Sequence, residues 1–321
     1  MNPNARHPAR RFRPTLLVNT ALAGTLLAFS VAGDAPVEPG GVTEPTPDEA
    51  RAGAVPGDEA VDHAPPTQRA PHLLLPDRAA NAALARAMLT LPAEPAARLS
   101  VSVLALDSGA AATFGSQRFD TASIVKVNVL AALLLKAQDE GRELTELERE
   151  RAEVMIRRSD NAATDALWWL IGGASGLDAA NERLGLTSTT PGDGGHWGLT
   201  QTTSADQIAL LAAIYAPSSE LDADSRGYLR ELMSTVVDGQ RWGVSAAADA
   251  GFELKNGWLP RSETGLWDVN SIGLVTADGR DYLVAVVSDG HSSQEAGIAA
   301  VEWAASRAIE TLDAGPVTRA T

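Results

Sequence analysis

The order of the predicted secondary-structure elements constrains the fold of this chain more than any other feature. Two strand patterns precede a long helical stretch from about 122 to 236, and three more strand patterns follow it. Turns bearing Gly and Asp separate neighbouring strand patterns, as is typical of antiparallel hairpins. Strands at both ends of a domain, with helices between them, favour one α+β unit. We therefore expect a five-stranded antiparallel sheet flanked by helices, with an inserted all-helical subdomain.

These elements predict one folded domain over residues 71–321. Its sheet part would comprise about 71–121 and 240–315, and its helical part about 122–239. The last predicted helix, at about 293–312, carries an apolar face at helical spacing.

The N-terminal segment, residues 1–32, has the features of an export signal. Arginines precede an apolar run that ends at Ser30-Val31-Ala32, a plausible small-residue cleavage site. We expect a secreted or extracytoplasmic protein. An uncleaved N-terminal anchor is the alternative, although a run of about 17 residues is short for a bilayer span. Residues 33–70 are rich in Pro, Gly and acidic residues and lack aromatic residues, which predicts a disordered linker.

The composition of the chain excludes several classes of function. Its net charge is −15 and no basic stripe offsets it, which disfavours nucleic-acid binding. Cysteine is absent, which excludes disulfides, thiol chemistry and a lipidated cysteine in this chain. Its five histidines are scattered without metal-ligand spacing, so we expect neither a metal nor another cofactor.

Ser123 and Lys126 lie three residues apart at the start of the predicted helix 122–136, which Thr121 is expected to cap. Residues at i and i+3 share a helix face. Lysine is rare here, since only three of the 26 basic residues are lysines. Arginine stays protonated, whereas a buried lysine can lose its proton. Because a serine hydroxyl needs a base to become a good nucleophile, the pair predicts a serine nucleophile with a lysine base.

Two further polar motifs follow, S-D-N at 159–161 and K-N-G at 255–257. The first ends a predicted helix and the second lies in a predicted strand. Each motif alone is weak evidence, but three in this order, on a helix start, a turn and a strand, rarely arise by chance.

Each of these motifs could contribute to acyl transfer at Ser123. Lys255 could keep Lys126 neutral, because a nearby cation disfavours a second one, and it could attract a substrate carboxylate. Backbone N–H groups at the helix N-terminus and at Trp258 could bind an oxyanion. Ser159 could relay a proton to the leaving group, and Asn161 could hold a substrate amide.

The three motifs resemble the S-x-x-K, S-D-N and K-T-G set of class A β-lactamases and penicillin-binding serine hydrolases. The likeness covers roughly 75–315, including the order of elements. It implies a three-layer α/β/α two-subdomain fold with the site in the cleft, and an acyl-enzyme at Ser123. It further implies Lys126 as base, Ser159 as proton relay, Lys255 as carboxylate anchor, and substrate contacts at Asn161, Asn256, Gly257 and Trp258.

The chain departs from this family pattern in the third motif and in one loop. Asn256 stands where the family has threonine, whose hydroxyl helps to bind a carboxylate. Class A β-lactamases carry a water-activating glutamate in the loop that corresponds to 186–204, and this segment contains none. Asp193 and His196 are the possible water bases there, and the alternative is a solvated loop.

We therefore expect an exported, monomeric serine hydrolase that acts on a small-molecule or peptidoglycan-like acyl substrate, with β-lactam hydrolysis as one activity. A cell-wall D,D-peptidase, an esterase or an acyl-transfer enzyme with a non-water acceptor is the first alternative. A non-catalytic binding or sensor domain is the second, although a binder does not need an activated serine.

Overall fold

The computed structural model describes residues 77–92 and 94–314. The predicted signal 1–32 and linker 33–70 lie outside the described residues. None of the helices in the described ranges is long and apolar enough to cross a membrane.

Eight α-helices and seven strands are found in the described residues. The helices are α1 (Arg78–Met88), α2 (Val125–Asp139), α3 (Glu146–Arg157), α4 (Asn161–Leu170), α5 (Gly173–Arg183), α6 (Ser204–Tyr215), α7 (Ala223–Ser234) and α8 (Gln294–Asp313). The strands are β1 (Arg98–Ala105), β2 (Ala111–Phe114), β3 (Phe119–Asp120), β4 (Gln201–Thr202), β5 (Phe252–Pro260), β6 (Trp267–Ala277) and β7 (Arg280–Asp289). Short 3₁₀ turns are formed at Ala122–Ile124, Trp197–Leu199, Asp238–Gln240 and Gly243–Ala247.

The main sheet has five strands in the order β2-β1-β7-β6-β5, and every neighbouring pair is antiparallel. The early strand β1 pairs with the late strand β7 along its whole length, with Arg98 opposite Asp289. Both ends of the chain thus complete one sheet, which confirms the predicted five-stranded antiparallel architecture. Strands β3 and β4 form a separate two-stranded pair.

The sheet separates two hydrophobic cores, and alternate residues of β7 point into each. Val284 and Val286 belong to the core that α1 and α8 cover, whereas Ala285 and Val287 belong to the core that includes α2 and α6. This period-2 alternation is what a strand buried on both faces requires. Each fully buried aliphatic side chain contributes roughly 1.5–3 kcal/mol to the free energy of folding. Because a one-residue slip would exchange the side chains of the two faces, their packing fixes the register of β7.

Helix α2 is buried on nearly all sides, as expected of an apolar central helix. Its side chains from Val125 to Leu135 are all buried, and they include Lys126 in the first turn. The fold therefore places a lysine in the first turn of a buried helix, directly after the 3₁₀ turn Ala122–Ile124 that contacts edge strand β5.

Candidate active site

The turn before Ser123 is strained. Ala122 has a φ of 45°, a left-handed conformation that costs a non-glycine residue about 1–3 kcal/mol. Thr121 already has helical backbone angles and its side chain makes no capping hydrogen bond, so the prediction that Thr121 caps this helix is wrong. The segment instead enters α2 through the 3₁₀ turn Ala122–Ile124, which leaves the Ser123 side chain half-buried.

Asn270 on β6 holds this turn in place. Its amide nitrogen donates to the carbonyl oxygens of Asp120 at 2.9 Å and Thr121 at 3.0 Å. Its amide oxygen accepts from the Ser288 N–H at 2.9 Å. Asn270 is fully buried, and each of these bonds satisfies a backbone group near the sheet. Asn270, a polar residue within the apolar pattern of β6, therefore positions the 3₁₀ turn Ala122–Ile124, which carries Ser123 and is called the nucleophile turn below.

Gly257 lets edge strand β5 lie directly against the same turn. A Cβ atom at this position would lie 2.7 Å from Ser123 N and 2.8 Å from Thr121 O. Only glycine permits so close an approach without displacing the turn. The backbone of β5 is therefore positioned to form one wall beside the Ser123 N–H group.

Lys126 is fully buried and its amine is surrounded by oxygen atoms. Lys126 Nζ lies 3.0 Å from Ser123 Oγ, 3.1 Å from Ser159 Oγ, 2.7 Å from Ser159 O and 2.8 Å from Asn161 Oδ1. The carbonyl and amide oxygens can only accept, so they take two N–H groups of the lysine. The remaining position of Nζ, a lone pair in the neutral amine, faces the two serine hydroxyls.

Ser159 links the two buried lysines. Lys255 Nζ lies 3.1 Å from Ser159 Oγ, the same distance as Lys126 Nζ, and it also donates to the Asn256 carbonyl oxygen at 2.7 Å. Ser159 has a φ of 59°, in the left-handed region, at the turn between α3 and α4. Asp160 caps α4 by accepting from the Ala163 N–H at 2.7 Å.

The electrostatics of this cluster make a neutral Lys126 accessible near neutral pH. Burial lowers the pKa of Lys126 to about 7, opposed by the negative charges of Asp160 and Asp165. Burial, together with the neighbouring Lys126, lowers the pKa of Lys255 well below its ordinary value. Among the residues the structure describes, Lys136 is the one lysine in an ion pair. Two buried lysines that form no ion pair among the described residues are costly to a fold and typical of functional sites.

The Asn256 side chain forms its hydrogen bonds on the face of β5 opposite to that of Lys255. Its amide nitrogen donates to the Gln240 and Trp242 carbonyl oxygens at 2.7 and 2.9 Å, and its amide oxygen accepts from Ser271 Oγ at 2.6 Å. Trp258, two residues further on, packs with Trp242 at 5.9 Å between ring centroids, against the core beside α8. The structure therefore brings the backbone of these residues near Ser123, but it uses their side chains to hold the neighbouring loop.

Asp193 and His196 are both exposed. His196 Nδ1 lies 3.1 Å from the Asp193 carbonyl oxygen, and among the described residues no hydrogen bond joins either side chain to Ser123 or Lys126. The structure thus does not bring these two residues together with the serine–lysine cluster. No group of acidic or histidine side chains within 77–92 and 94–314 has the arrangement of a metal site.

A different residue of this loop, Trp197, reaches the cluster. Its ring centroid lies 4.8 Å from Lys126 Nζ, and its indole N–H donates to Asp165 Oδ1 at 2.8 Å. Neither Trp197 nor Asp165 was predicted from the sequence motifs. Asp165 follows Asn161 by four positions, which places it on the same face of α4, so helix periodicity could have identified it.

Comparison with known proteins first identifies a family. The model of the "Beta-lactamase enzyme family" matches residues 148–312, just over half of the chain. Ser123 and Lys126 precede the matched range. The candidate lipoproteins named LppW from Mycobacterium tuberculosis and Mycobacterium bovis are 31% identical over 172 residues, 51% of this chain and 54% of theirs. The chain therefore spans about half the length of the curated relatives it matches.

Solved structures share the fold. An acyl-enzyme complex of a PBP-A mutant with penicillin G is 23% identical, with a TM-score of 0.63 over 75% of this chain and 100% of that one. The TLA-1 extended-spectrum β-lactamase is 17% identical, with a TM-score of 0.64 over 73% and 99%. A class A β-lactamase from Bacteroides cellulosilyticus is 19% identical, with a TM-score of 0.62 over 74% and 100%.

These structures have the class A β-lactamase fold that the S-x-x-K resemblance implied. Because their sequence identity to this chain is below 25%, they establish the fold and nothing further. The chain belongs to the β-lactamase enzyme family.

Proposed function

We propose that this protein is an exported serine enzyme that forms an acyl-enzyme at Ser123 with a β-lactam or a related amide or ester. The 3.0 Å contact between Lys126 Nζ and Ser123 Oγ carries the proposal. A neutral lysine amine at hydrogen-bonding distance from a half-buried serine hydroxyl is the arrangement that nucleophilic catalysis requires.

In the acylation step, Ser123 Oγ attacks the substrate carbonyl carbon and loses its proton to the Lys126 amine. The C–N bond of the amide then breaks, and the leaving nitrogen needs a proton. Ser159 Oγ, 3.1 Å from Lys126 Nζ, can give its own proton to that nitrogen and take the replacement from Lys126. Each proton moves over one hydrogen bond.

Charge complementarity supports an anionic substrate. Lys255 is buried and forms no ion pair among the described residues, and burial together with Lys126 lowers its pKa. A substrate carboxylate bound beside it would favour its protonated form and pair with it. The backbone N–H groups of Ser123 and Trp258 are the proposed oxyanion donors. The close packing of Gly257 against Ser123 N supports this pairing, because it brings the two backbones together.

The fate of the acyl group separates two versions of the proposal. Hydrolysis would make the protein a β-lactamase in the broad sense. Transfer to an amine or another larger acceptor would make it a D,D-peptidase, an esterase-like enzyme or an acyltransferase. The loop 186–204 favours transfer, because it offers Lys126 an indole ring rather than a carboxylate that could activate water.

Export is supported by two independent features. Residues 1–32 have the pattern of an export signal. The LppW relatives carry the name of lipoproteins, which belong to membrane surfaces outside the cytoplasm.

Intact-protein mass spectrometry of the full chain with benzylpenicillin tests the proposal. We expect a mass increase of one penicillin molecule, present in the parent and in the control Ser218→Ala at an exposed serine, and absent in Ser123→Ala. A persistent adduct supports transfer to another acceptor, and a transient adduct with accumulating hydrolysed penicillin supports a β-lactamase. Absence of any adduct, with benzylpenicillin and with a fluorophosphonate, would favour the non-catalytic sensor.

A further inference from the structure

Trp197 and Asp165 form a contact that the acylation chemistry does not use. Trp197 lies in the 3₁₀ turn Trp197–Leu199, and the face of its indole ring covers the Lys126 amine at 4.8 Å. Its N–H donates to Asp165 Oδ1 at 2.8 Å, one helical turn beyond Asn161 on α4. One side chain of the loop 186–204 thus contacts both Lys126 and helix α4.

The loop that carries Trp197 is anchored at several points despite its glycines. The Thr121 N–H donates to the Thr200 carbonyl oxygen at 2.8 Å, which joins the loop to the nucleophile turn. The Trp168 indole donates to the Gly194 carbonyl oxygen at 3.1 Å, and the Gly192 N–H donates to Thr200 Oγ1 at 3.1 Å. These hydrogen bonds fix the loop on both sides of Trp197, whose half-buried indole lies over Lys126.

An indole face over the base has a direct chemical consequence. A water molecule that hydrolyses an ester must be oriented and deprotonated by a polar group near the carbonyl carbon. The face of an indole ring offers neither a carboxylate nor any other base, and it excludes water from the volume it occupies. The exposed side chains of Asp193 and His196 do not reach this volume through any hydrogen bond among the described residues.

We propose that Trp197, held by Asp165, is a specificity-determining residue that keeps water away from the acyl-enzyme at Ser123. This inference rests on the proposed acyl-enzyme. While Trp197 covers Lys126, the ester of Ser123 persists until an acceptor larger than water reaches it. The acceptor then attacks the ester carbon, the C–O bond to Ser123 breaks, and the acceptor's proton passes through Lys126 back to Ser123 Oγ.

Three variants separate the ring from the hydrogen bond that holds it. Trp197→Ala removes both. Trp197→Phe keeps an aromatic face over Lys126 but has no N–H for Asp165. Asp165→Ala keeps the indole but removes its acceptor. Trp169→Ala is the matched control, because Trp169 is 63% exposed, lies on the same helix as Asp165 and approaches the same loop near Gly195.

The full-length variants are loaded with benzylpenicillin, excess ligand is removed, and the adduct is followed by time-resolved mass spectrometry. Because excess ligand is removed first, the adduct lifetime reports the deacylation rate alone and is independent of the acylation rate. We expect Trp197→Ala to shorten the adduct lifetime by about tenfold or more, since the water-excluding group is lost. Trp197→Phe and Asp165→Ala should lie between that value and the parent, and Trp169→Ala should match the parent.

An adduct of unchanged lifetime in Trp197→Ala overturns the role of Trp197 while leaving the acyl-enzyme intact. Equal shortening in Trp169→Ala also overturns it, because that result points to general loosening of the loop. Absence of any adduct on the parent overturns the proposed function itself, and the role of Trp197 with it. If Trp197→Ala does not fold, Trp197→Phe and Asp165→Ala still decide the matter through the same lifetimes.

Discussion

Lys126 and Lys255 place their side-chain nitrogens on the same oxygen atom, Ser159 Oγ, at 3.1 Å each. Two ammonium groups so close together repel one another, and neither has an acidic partner in the described part of the chain. The pair is therefore most stable when at least one lysine is neutral. With a pKa of about 7, Lys126 is itself neutral in a substantial fraction of molecules near neutral pH, and that form can accept a proton.

The rate of Ser123 acylation should follow the protonation state of Lys126. Burial lowers the pKa of this lysine to about 7. The protonated form cannot accept the Ser123 proton, so the second-order rate constant should rise with pH, about tenfold per unit below the pKa, and level off above it. Measurement with benzylpenicillin between pH 5 and 9, with circular dichroism to check folding, tests this. A flat profile would exclude Lys126 as the base.

Replacement of Lys126 by arginine should abolish most acylation. Arginine keeps the positive charge but does not lose its proton in this pH range, so the base is lost. We expect the acylation rate constant to fall by about 10²–10⁴. Lys136→Arg, at an exposed position paired with Glu140, should react like the parent. Equal activity of Lys126→Arg and the parent would contradict the proposed role, and Lys126→Met separates loss of the base from the larger size of arginine.

The sequence predicted those parts of the site that depend on local periodicity. Ser123 and Lys126 lie close together because residues at i and i+3 share a helix face, and this holds in most surroundings. The five-stranded sheet was predictable for a similar reason, because alternating apolar residues and turns with Gly and Asp specify hairpins locally.

Features imposed by tertiary contacts could not be read from the sequence. The prediction that Thr121 caps the helix was wrong because Asn270 and Gly257 hold the nucleophile turn in place. Ala122 in that turn adopts a left-handed conformation that no local pattern predicts. Trp197 reaches Lys126 only because its loop is anchored to the nucleophile turn at Thr200.

The direction of the Asn256 side chain is an intermediate case between local and tertiary control. Strand alternation turns it away from the side of Lys255, and its partners Gln240, Trp242 and Ser271 then come from loops and strands distant in sequence.

Gly257→Ala should both destabilise the protein and slow acylation. The added methyl group would lie 2.7 Å from Ser123 N and 2.9 Å from Ile124 N, so the nucleophile turn must shift. We expect the free energy of unfolding to fall by about 1–3 kcal/mol, as for an overpacked core. Gly227→Ala is the control, because nothing lies within 4 Å of its added Cβ on helix α7. That variant should gain about 0.5–1 kcal/mol from helix propensity.

Chemical denaturation of both glycine variants, with acylation rates measured alongside, tests this packing argument. A Gly257→Ala protein as stable and as reactive as the parent would mean that strand β5 does not press against Ser123.

Asn270→Asp should remove the two hydrogen bonds that Asn270 donates to the backbone of the nucleophile turn. The aspartate keeps an oxygen that can accept from the Ser288 N–H, but it has no N–H groups for the Asp120 and Thr121 carbonyl oxygens. The Asp120 carbonyl oxygen then loses this donor, and the Thr121 carbonyl oxygen keeps only the Ile124 N–H at 3.2 Å. Both oxygens would face a carboxylate, which should lower the free energy of unfolding by about 2–4 kcal/mol. The strain at Ala122 would also lose its main support, so acylation of Ser123 should slow.

Asn81→Asp is the matched control for this prediction. Asn81 Oδ1 accepts from the Thr113 N–H at 2.7 Å, and its amide nitrogen has no partner among the described residues. A carboxylate preserves that acceptor, so stability and acylation should both stay near those of the parent. If urea denaturation gives Asn270→Asp the same midpoint and slope as Asn81→Asp, the two donated hydrogen bonds do not hold the turn. The left-handed Ala122 would then be supported by the packing of Gly257 alone.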